Sequence, residues 1–489
     1  MGQCNQWGIM TSSGTFLRGV VAGASVVTML SGCLVKPDYS RPEVLTEAPY
    51  REAPVTQETI ADLPWWEVFN DSNLQSLIKT ALEENRDLKV AMARIDEARG
   101  LLGVARPDQF PRLDLTGDAS RLDRSDASLF PTPPTNEYSL GGKLSFEVDI
   151  WGRYASATEA QRAQLLSTEY ALRAVTLSLV AQVAASYLQL QNIDRQIAIS
   201  KRTLDNRHDA TTLNQQRFSG GYVGLLDVNQ AQIQEEEARA ALIALQRQLR
   251  VTENALSVLL GHAPHAIVRS EMSKNPIALI KLPAGVPAML LERRPDVRAA
   301  EESARGAVMR IGIARAQQYP ALNLTGLLGL NAAENRNLFS ADAQTWSIGA
   351  GIFGPLIDLG KSWSRVDAAE GQAAQALESY ENTVLQAVRD VDDALVSVET
   401  YKKEHAARTA QVKAGKSGSM LSRRRYMDGV TSYLEVLETE RSLFQAELAH
   451  SGTLERYLFS VVQLYRSLGG GWLAKPTAKP TAKSTAKPS

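Results

Sequence analysis

His262-x-x-His265 is the pair of side chains whose spacing first invites a chemical reading. Two imidazoles this close in sequence can share a zinc ion, but a zinc site also needs Cys, His or carboxylate partners. Gly261-His262-Ala263-Pro264-His265 has none beside it, so the pair reads as loop residues. Five His and two Cys in 489 residues leave little material for any metal centre. Gly469-Gly470-Gly471 follows a helical stretch rather than a strand, so it stops a helix and is no phosphate loop. No nucleophile motif stands out. These residues point away from an enzyme and call for no cofactor. A formal net charge of −1 supplies no basic field for nucleic acid.

Cys33 carries a different chemistry. Arg18 precedes an apolar run from Gly19 to Leu30, followed by Leu30-Ser31-Gly32-Cys33. The run falls short of the roughly 20 apolar residues that span a bilayer. Small residues at 31 and 32 suit a signal peptidase. The order resembles a bacterial lipoprotein signal, which implies removal of 1–32 and lipidation of Cys33. Leu34, rather than Asp, implies sorting to the outer membrane. Several acyl chains on one Cys hold a protein to a bilayer where a single chain does not. Elsewhere there is no run of 18 or more consecutive apolar residues.

The elements that would position any functional residue come in two series. Ala105-Arg-Pro-Asp-Gln-Phe-Pro-Arg-Leu-Asp-Leu-Thr-Gly117 returns as Ala314-Arg-Ala-Gln-Gln-Tyr-Pro-Ala-Leu-Asn-Leu-Thr-Gly326. Arg217-Phe218, Gly221 and Leu226-Asp227-Val228 return as Arg425-Tyr426, Gly429 and Leu434-Glu435-Val436. The offset is 209 for the prolines (320 − 111) and 208 for the glycines (429 − 221). A near-constant offset across two unlike motifs means an internal duplication, and the period is far beyond the roughly 20–50 residues of a solenoid.

Within each series the hydrophobic period changes twice. Leu74, Leu77, Ile78, Ala81 and Leu82 recur at helical spacing, within a helix expected to begin near Trp65 and to stop before Pro107. Tyr138, Leu140, Gly142, Leu144, Phe146, Val148 and Ile150 then alternate with Ser, Gly, Lys, Glu and Asp, a strand longer than the common 5–6 residues. Transmembrane barrel strands need about 9–11 residues in the hydrocarbon. A stretch from Gly152 to about Ser219 holds neither Pro nor a further Gly, and a helix of that length rises about 100 Å. The second series predicts a helix near 286–315, strands near Leu322–Leu330 and Trp346–Leu356, and long helices from Lys361 to about Tyr426 and on to Leu468. Four strands per chain cannot close a barrel, whose smallest transmembrane versions have about eight. Open edges in lipid are costly, so chains must pool strands. This pattern by itself allows two chains or three. The long helices carry too many charges for a membrane, as in Gln232-Ile-Gln-Glu-Glu-Glu-Ala-Arg239.

Leu30-Ser-Gly-Cys33, Asp62-Leu-Pro-Trp-Trp66, the doubled Ala-Arg-x-x-Gln-[Phe/Tyr]-Pro-x-Leu, Phe146-x-x-Asp149-Ile-Trp-Gly152, the doubled Arg-[Phe/Tyr]-x-x-Gly and Leu468-Gly-Gly-Gly-Trp472 together resemble the TolC/OprM-type outer-membrane factors, in their NodT-like lipoprotein branch. The resemblance spans roughly 33–472. It implies a mostly α-helical fold with a transmembrane β-barrel portion. Three chains would form a twelve-stranded barrel continuous with a twelve-helix periplasmic α-barrel. It also implies an outer-membrane exit duct of a tripartite efflux system. A periplasmic adaptor (a membrane fusion protein) would open it and an inner-membrane pump of the RND type would energise it. The adaptor-docking tips would be Gly220-Gly221-Tyr222-Val223 and Asp428-Gly429-Val430-Thr431. Glu435 and Glu438, three residues apart on one helix face, would ring the axis as a periplasmic gate together with Tyr426. Such a ring would bind cations. Glu stands here where the best-known members have Asp, and Thr431 where some carry Arg.

The expected organisation is therefore a signal peptide over 1–32, an extended linker over 33–62, a first repeat over 63–263 with its hairpin at about 108–152, an equatorial linker over 264–285, a second repeat over 286–470 with its hairpin at about 317–358, and a disordered Lys/Pro/Thr/Ala tail over 471–489. The rival reading is a non-conducting coiled-coil lipoprotein that spans the periplasm as a scaffold.

Overall fold

The structure, a computed structural model, describes residues 37–42, 71–123, 133–270 and 293–470. Cys33, most of the expected N-terminal linker, Trp65-Trp66, most of 264–285 and the C-terminal tail lie outside the described residues.

Helix α1 is Ser72–Glu84 and begins where Asp71 caps it, accepting from the amides of Asn73 at 2.9 Å and Leu74 at 3.3 Å. Leu74, Ile78 and Ala81 form its buried face. The single helix expected up to Pro107 is in fact two. Asn85 leaves the helical conformation, and its Oδ1 accepts from the Leu88 amide at 2.9 Å to start α2, Arg86–Ala105. Its Nδ2 donates to the Leu259 carbonyl at 2.8 Å, so a distant element fixes the break.

Strand β1, Arg112–Leu122, and strand β2, Thr135–Val148, form the first hairpin. Helix α3, Arg153–Ser219, has 67 residues, and α4, Leu225–Leu259, has 35. After α5, Pro295–Ala316, come β3, Ala321–Ala332, and β4, Gln344–Phe353. Helix α6, Lys361–Met427, again has 67 residues, and α7, Tyr433–Ser467, again 35. Strand β4 stops short of the expected Leu356, because Pro355 has no amide to give a ladder. One 18-residue window of α3 reaches a mean hydropathy of 1.4, a possible span by length and composition. Its apolar stretch instead supplies buried core residues, including Leu179, Val183, Tyr187 and Leu190.

The chain divides into two compact units. Of the described residues, one comprises 37–41, 96–123, 133–166 and 301–378. It holds one antiparallel sheet in the order β1-β2-β3-β4, so β1 and β4 are its edges. Gly117 faces Leu140 in the first hairpin, Gly326 faces Ile348 in the second, and Lys143 faces Leu327 between them. Gly141 and Gly329 sit opposite each other so closely that a Cβ on Gly141 would lie 2.8 Å from the Leu328 carbonyl oxygen. Large apolar side chains stand exposed on the strands, among them Leu115, Leu328, Ile348 and Ile352. Below the strands, Ala160, Ala307, Ala369 and Ala373 let α3, α5 and α6 approach around Val308, Met309 and Val366.

The other unit comprises, of the described residues, 42, 71–95, 167–270, 293–300 and 379–470. Its main core joins α1, α3, α4, α6 and α7 through Ile78, Tyr187, Leu256, Val391 and Leu458. Tyr187 donates to Asp71 at 2.7 Å, and Ser270 donates to the same carboxylate at 2.6 Å. Burial works against that charge, but these hydrogen bonds and the two capping amides hold Asp71 below the usual carboxylate range.

Candidate functional site: the two interhelical turns and the second helix entry

The α3–α4 and α6–α7 turns are built alike. Tyr222 N donates to Arg217 O at 2.9 Å and Gly221 N to Phe218 O at 2.9 Å. Val430 N donates to Arg425 O at 2.9 Å and Gly429 N to Tyr426 O at 3.1 Å. These are Schellman closures, and Gly221 at φ +78° and Gly429 at φ +73° provide the left-handed residue that each requires. The turns present apolar side chains to solvent: Tyr222 is 85% exposed and Val430 67%. Gly220, Gly221, Asp428 and Gly429 are exposed, while Val223 and Thr431 are partly covered. Solvated turns that satisfy their own backbone and display apolar tips can receive another surface without unfolding.

Tyr426 lies behind the second turn, buried with Ala231, Tyr433 and Val436. Its hydroxyl donates to Asn214 Oδ1 of α3 at 2.9 Å. Arg217 lies over its ring at 4.8 Å, and the Tyr433 ring is 5.3 Å away. Burial pushes the Tyr433 hydroxyl well above the usual range, aided by Glu440 and Tyr426. Burial also raises the Glu440 carboxyl, against the pull of Arg423 and Arg207.

Glu435 and Glu438 stand on the first turns of α7. Thr431 Oγ1 donates to Glu435, and Arg425 pairs with the same carboxylate at 3.5 Å. Glu438 pairs with Arg441 at 2.6 Å. Within one chain, then, each carboxylate already has a guanidinium beside it. Among the described residues Tyr426 makes no hydrogen bond to either of them; its hydroxyl donates to Asn214 on α3 instead. Sequence reading gave no role at the site to Asn214, Arg217, Arg425, Arg441 or Glu440. The offset offered a signal for two of these, since Arg217 and Arg425 occupy matching positions. His262 and His265 have ring centroids 5.7 Å apart, and His265 Nδ1 is 2.9 Å from its neighbour Ala263 O.

The description "outer membrane efflux protein" belongs to the family model that matches residues 77–262 and 286–470. The probable efflux pump outer membrane protein TtgC of Pseudomonas putida is 33% identical over 465 residues, covering 93% of this chain and 96% of TtgC. The cation efflux system protein CusC of Escherichia coli is 30% identical over 451 residues, covering 91% and 97%. The solved structure of the outer-membrane channel OprN superposes with a TM-score of 0.82 at 29% identity, covering 89% of this chain and 99% of OprN. A matched pair of sequence segments, relatives aligned over nearly their full length and a shared fold lead to one conclusion: the chain belongs to the outer membrane efflux protein family and works in the outer membrane of a Gram-negative cell.

Proposed function

We propose that the protein is the outer-membrane exit duct of a tripartite efflux system, a homotrimer opened by a periplasmic adaptor and energised by an inner-membrane pump of the RND type. The observation that carries this reading is the sheet: among the described residues, four strands, apolar side chains exposed on them, and two unpaired edges. In lipid those edges must be closed by further strands. The internal duplication supplies the register. Advancing β1 by 209 and β2 by 208 turns the Gly117–Leu140 pair into Gly326–Ile348. The same shifts convert the β2–β3 pair Gly142–Leu328 into Ala350 of one chain opposite Ala119 of the next. Leu144–Gly326 becomes Ile352 opposite Gly117, both inside the observed strands.

In this reading Cys33 carries the lipid anchor, and Gly220–Val223 and Asp428–Thr431 receive the adaptor. Tyr426, Glu435 and Glu438 form the periplasmic gate. The carboxylates, pulled away from Arg425 and Arg441, narrow and charge the entrance. The domain boundaries follow the two repeats, 63–263 and 286–470. Cargo is chosen by the pump.

Single-channel recording in planar bilayers tests the duct, and a cation-preferring pore is expected. Glu435→Gln with Glu438→Gln should weaken block by divalent cations. Absence of any pore at every pH would reject the duct in favour of the scaffold, and unchanged block would reject the gate assignment.

A further inference from the structure

His405 of α6 and His450 of α7 stack face to face, with ring centroids 4.6 Å apart and planes 25° from parallel. His450 Nε2 lies 3.1 Å from Thr409 Oγ1. His405 Nδ1 is buried and has no hydrogen-bond partner among the described residues. Imidazole lone pairs lie in the ring plane, so stacked rings do not aim two nitrogens at one metal between them. The geometry is that of two helices joined through ring faces.

Carried back by the offset of 208, positions 405 and 450 fall on Ile197 and Leu242. The α3–α4 pair thus has aliphatic residues where α6–α7 has imidazoles, so the helical scaffold does not itself require rings that titrate. The surroundings decide what a proton would do. Arg195 of α3 acts on both rings, and Lys416 of α6 and Glu447 of α7 act on His450. Glu447 is already bridged by Arg202 of α3 at 2.5 Å and by Lys416 at 3.5 Å. Glu404 of α6 is held by Arg408 at 3.4 Å and Thr453 at 3.4 Å. The nearby carboxylates are therefore committed, while cations face the seam. Burial first, then Arg195, keeps His405 below its ordinary pKa of 6.5; burial first, then His405, Arg195 and Lys416, keeps His450 below it against Glu447.

We propose that the His405–His450 stack is an acid-sensitive clasp between α6 and α7: neutral rings hold the two helices together, protonation parts them, and the α3–α4 pair has no such release. A lowered folded-state pKa means that the opened form binds protons more readily. The clasp is therefore at full strength above the ordinary imidazole value and is lost as pH falls through the folded one.

Hydrogen exchange of the assembled full-length protein, read by mass spectrometry at about pH 7.5 and about pH 5.5 and corrected for intrinsic chemistry, tests this. Segments 398–412 and 443–457 should exchange severalfold faster at the lower pH, with 190–204 and 235–249 unchanged. His405→Ile with His450→Leu installs the residues of the first pair and should abolish the difference. If that variant fails to assemble, His450→Gln removes one titrating ring and keeps a partner for Thr409, and it should reduce the response. A pH response as large as wild type in the variant, or none in the wild type, overturns the clasp. The readout does not depend on conduction, so it stands apart from the duct reading.

Discussion

Replacing Tyr426 by Phe removes one oxygen from the tie between the second turn and α3. The hydroxyl donates to Asn214 Oδ1 at 2.9 Å, and both residues are shielded: Tyr426 is 9% exposed and Asn214 0%. The Asn214 Nδ2 is already engaged with Ala210 O at 2.9 Å. The deletion therefore strands a buried acceptor, which costs roughly 1–3 kcal/mol. Ring packing on Ala231, Tyr433 and Val436 is kept, and so is the Arg217 contact. At about 2 kcal/mol, local opening of the turn becomes about thirtyfold more frequent. Hydrogen exchange over 424–437 measures that opening, and trypsin cleavage in Arg423-Arg424-Arg425 reports it independently. The control replaces both partners, Tyr426→Phe with Asn214→Leu. An apolar pair leaves no orphaned acceptor, so the double variant should recover most of the loss, giving a coupling of about 1–2 kcal/mol. Exchange within twofold of wild type in Tyr426→Phe, or a double variant as open as the single, would refute the reasoning.

Two glycine substitutions should separate conformational cost from steric cost. Gly429→Ala meets open space at φ +73° and should cost about 1–2 kcal/mol of local stability, with assembly intact. Gly261→Ala, at φ +80°, would place a Cβ 2.3 Å from the Glu84 carbonyl oxygen, so it should sharply lower the yield of assembled protein on a sizing column. A third expectation concerns pH. Burial opposes the Asp296 charge, yet Arg294 holds that carboxyl below its ordinary value of 3.8. The unfolded chain thus takes up the proton more readily, and the stabilisation is present above that value and lost as pH falls through the folded one. Asp296→Asn should lower the thermal midpoint at neutral pH, and the gap should close on strong acidification. A gap independent of pH would remove Asp296 from the account.

The long elements were legible because their signals are local. Alternation places Tyr138, Leu140 and Leu144 on one side of a strand whatever that strand meets. A stretch without Pro or internal Gly from Arg153 to Ser219 can hardly be anything but helix. The paired glycines at 221 and 429 marked the turns for the same reason, since a Schellman closure needs a left-handed residue. The break at Asn85 was not legible. Its Nδ2 partner is the carbonyl of Leu259, 174 positions away, and no local pattern encodes such a bond.

The second helix entry divides the same way. Sequence spacing put Glu435 and Glu438 on one face of α7, because a helix fixes i and i+3 as neighbours. Their counterions were decided by tertiary structure: Arg425 reaches Glu435 across the turn between α6 and α7. Tyr426 turned toward Asn214, and His405 found His450, only because separate helices lie side by side. What the chain writes in its own periodicity is which segments form and which faces they bury. Which charged or aromatic group stands opposite which is settled by packing, because those partners lie tens to hundreds of residues apart and meet only when the helices close.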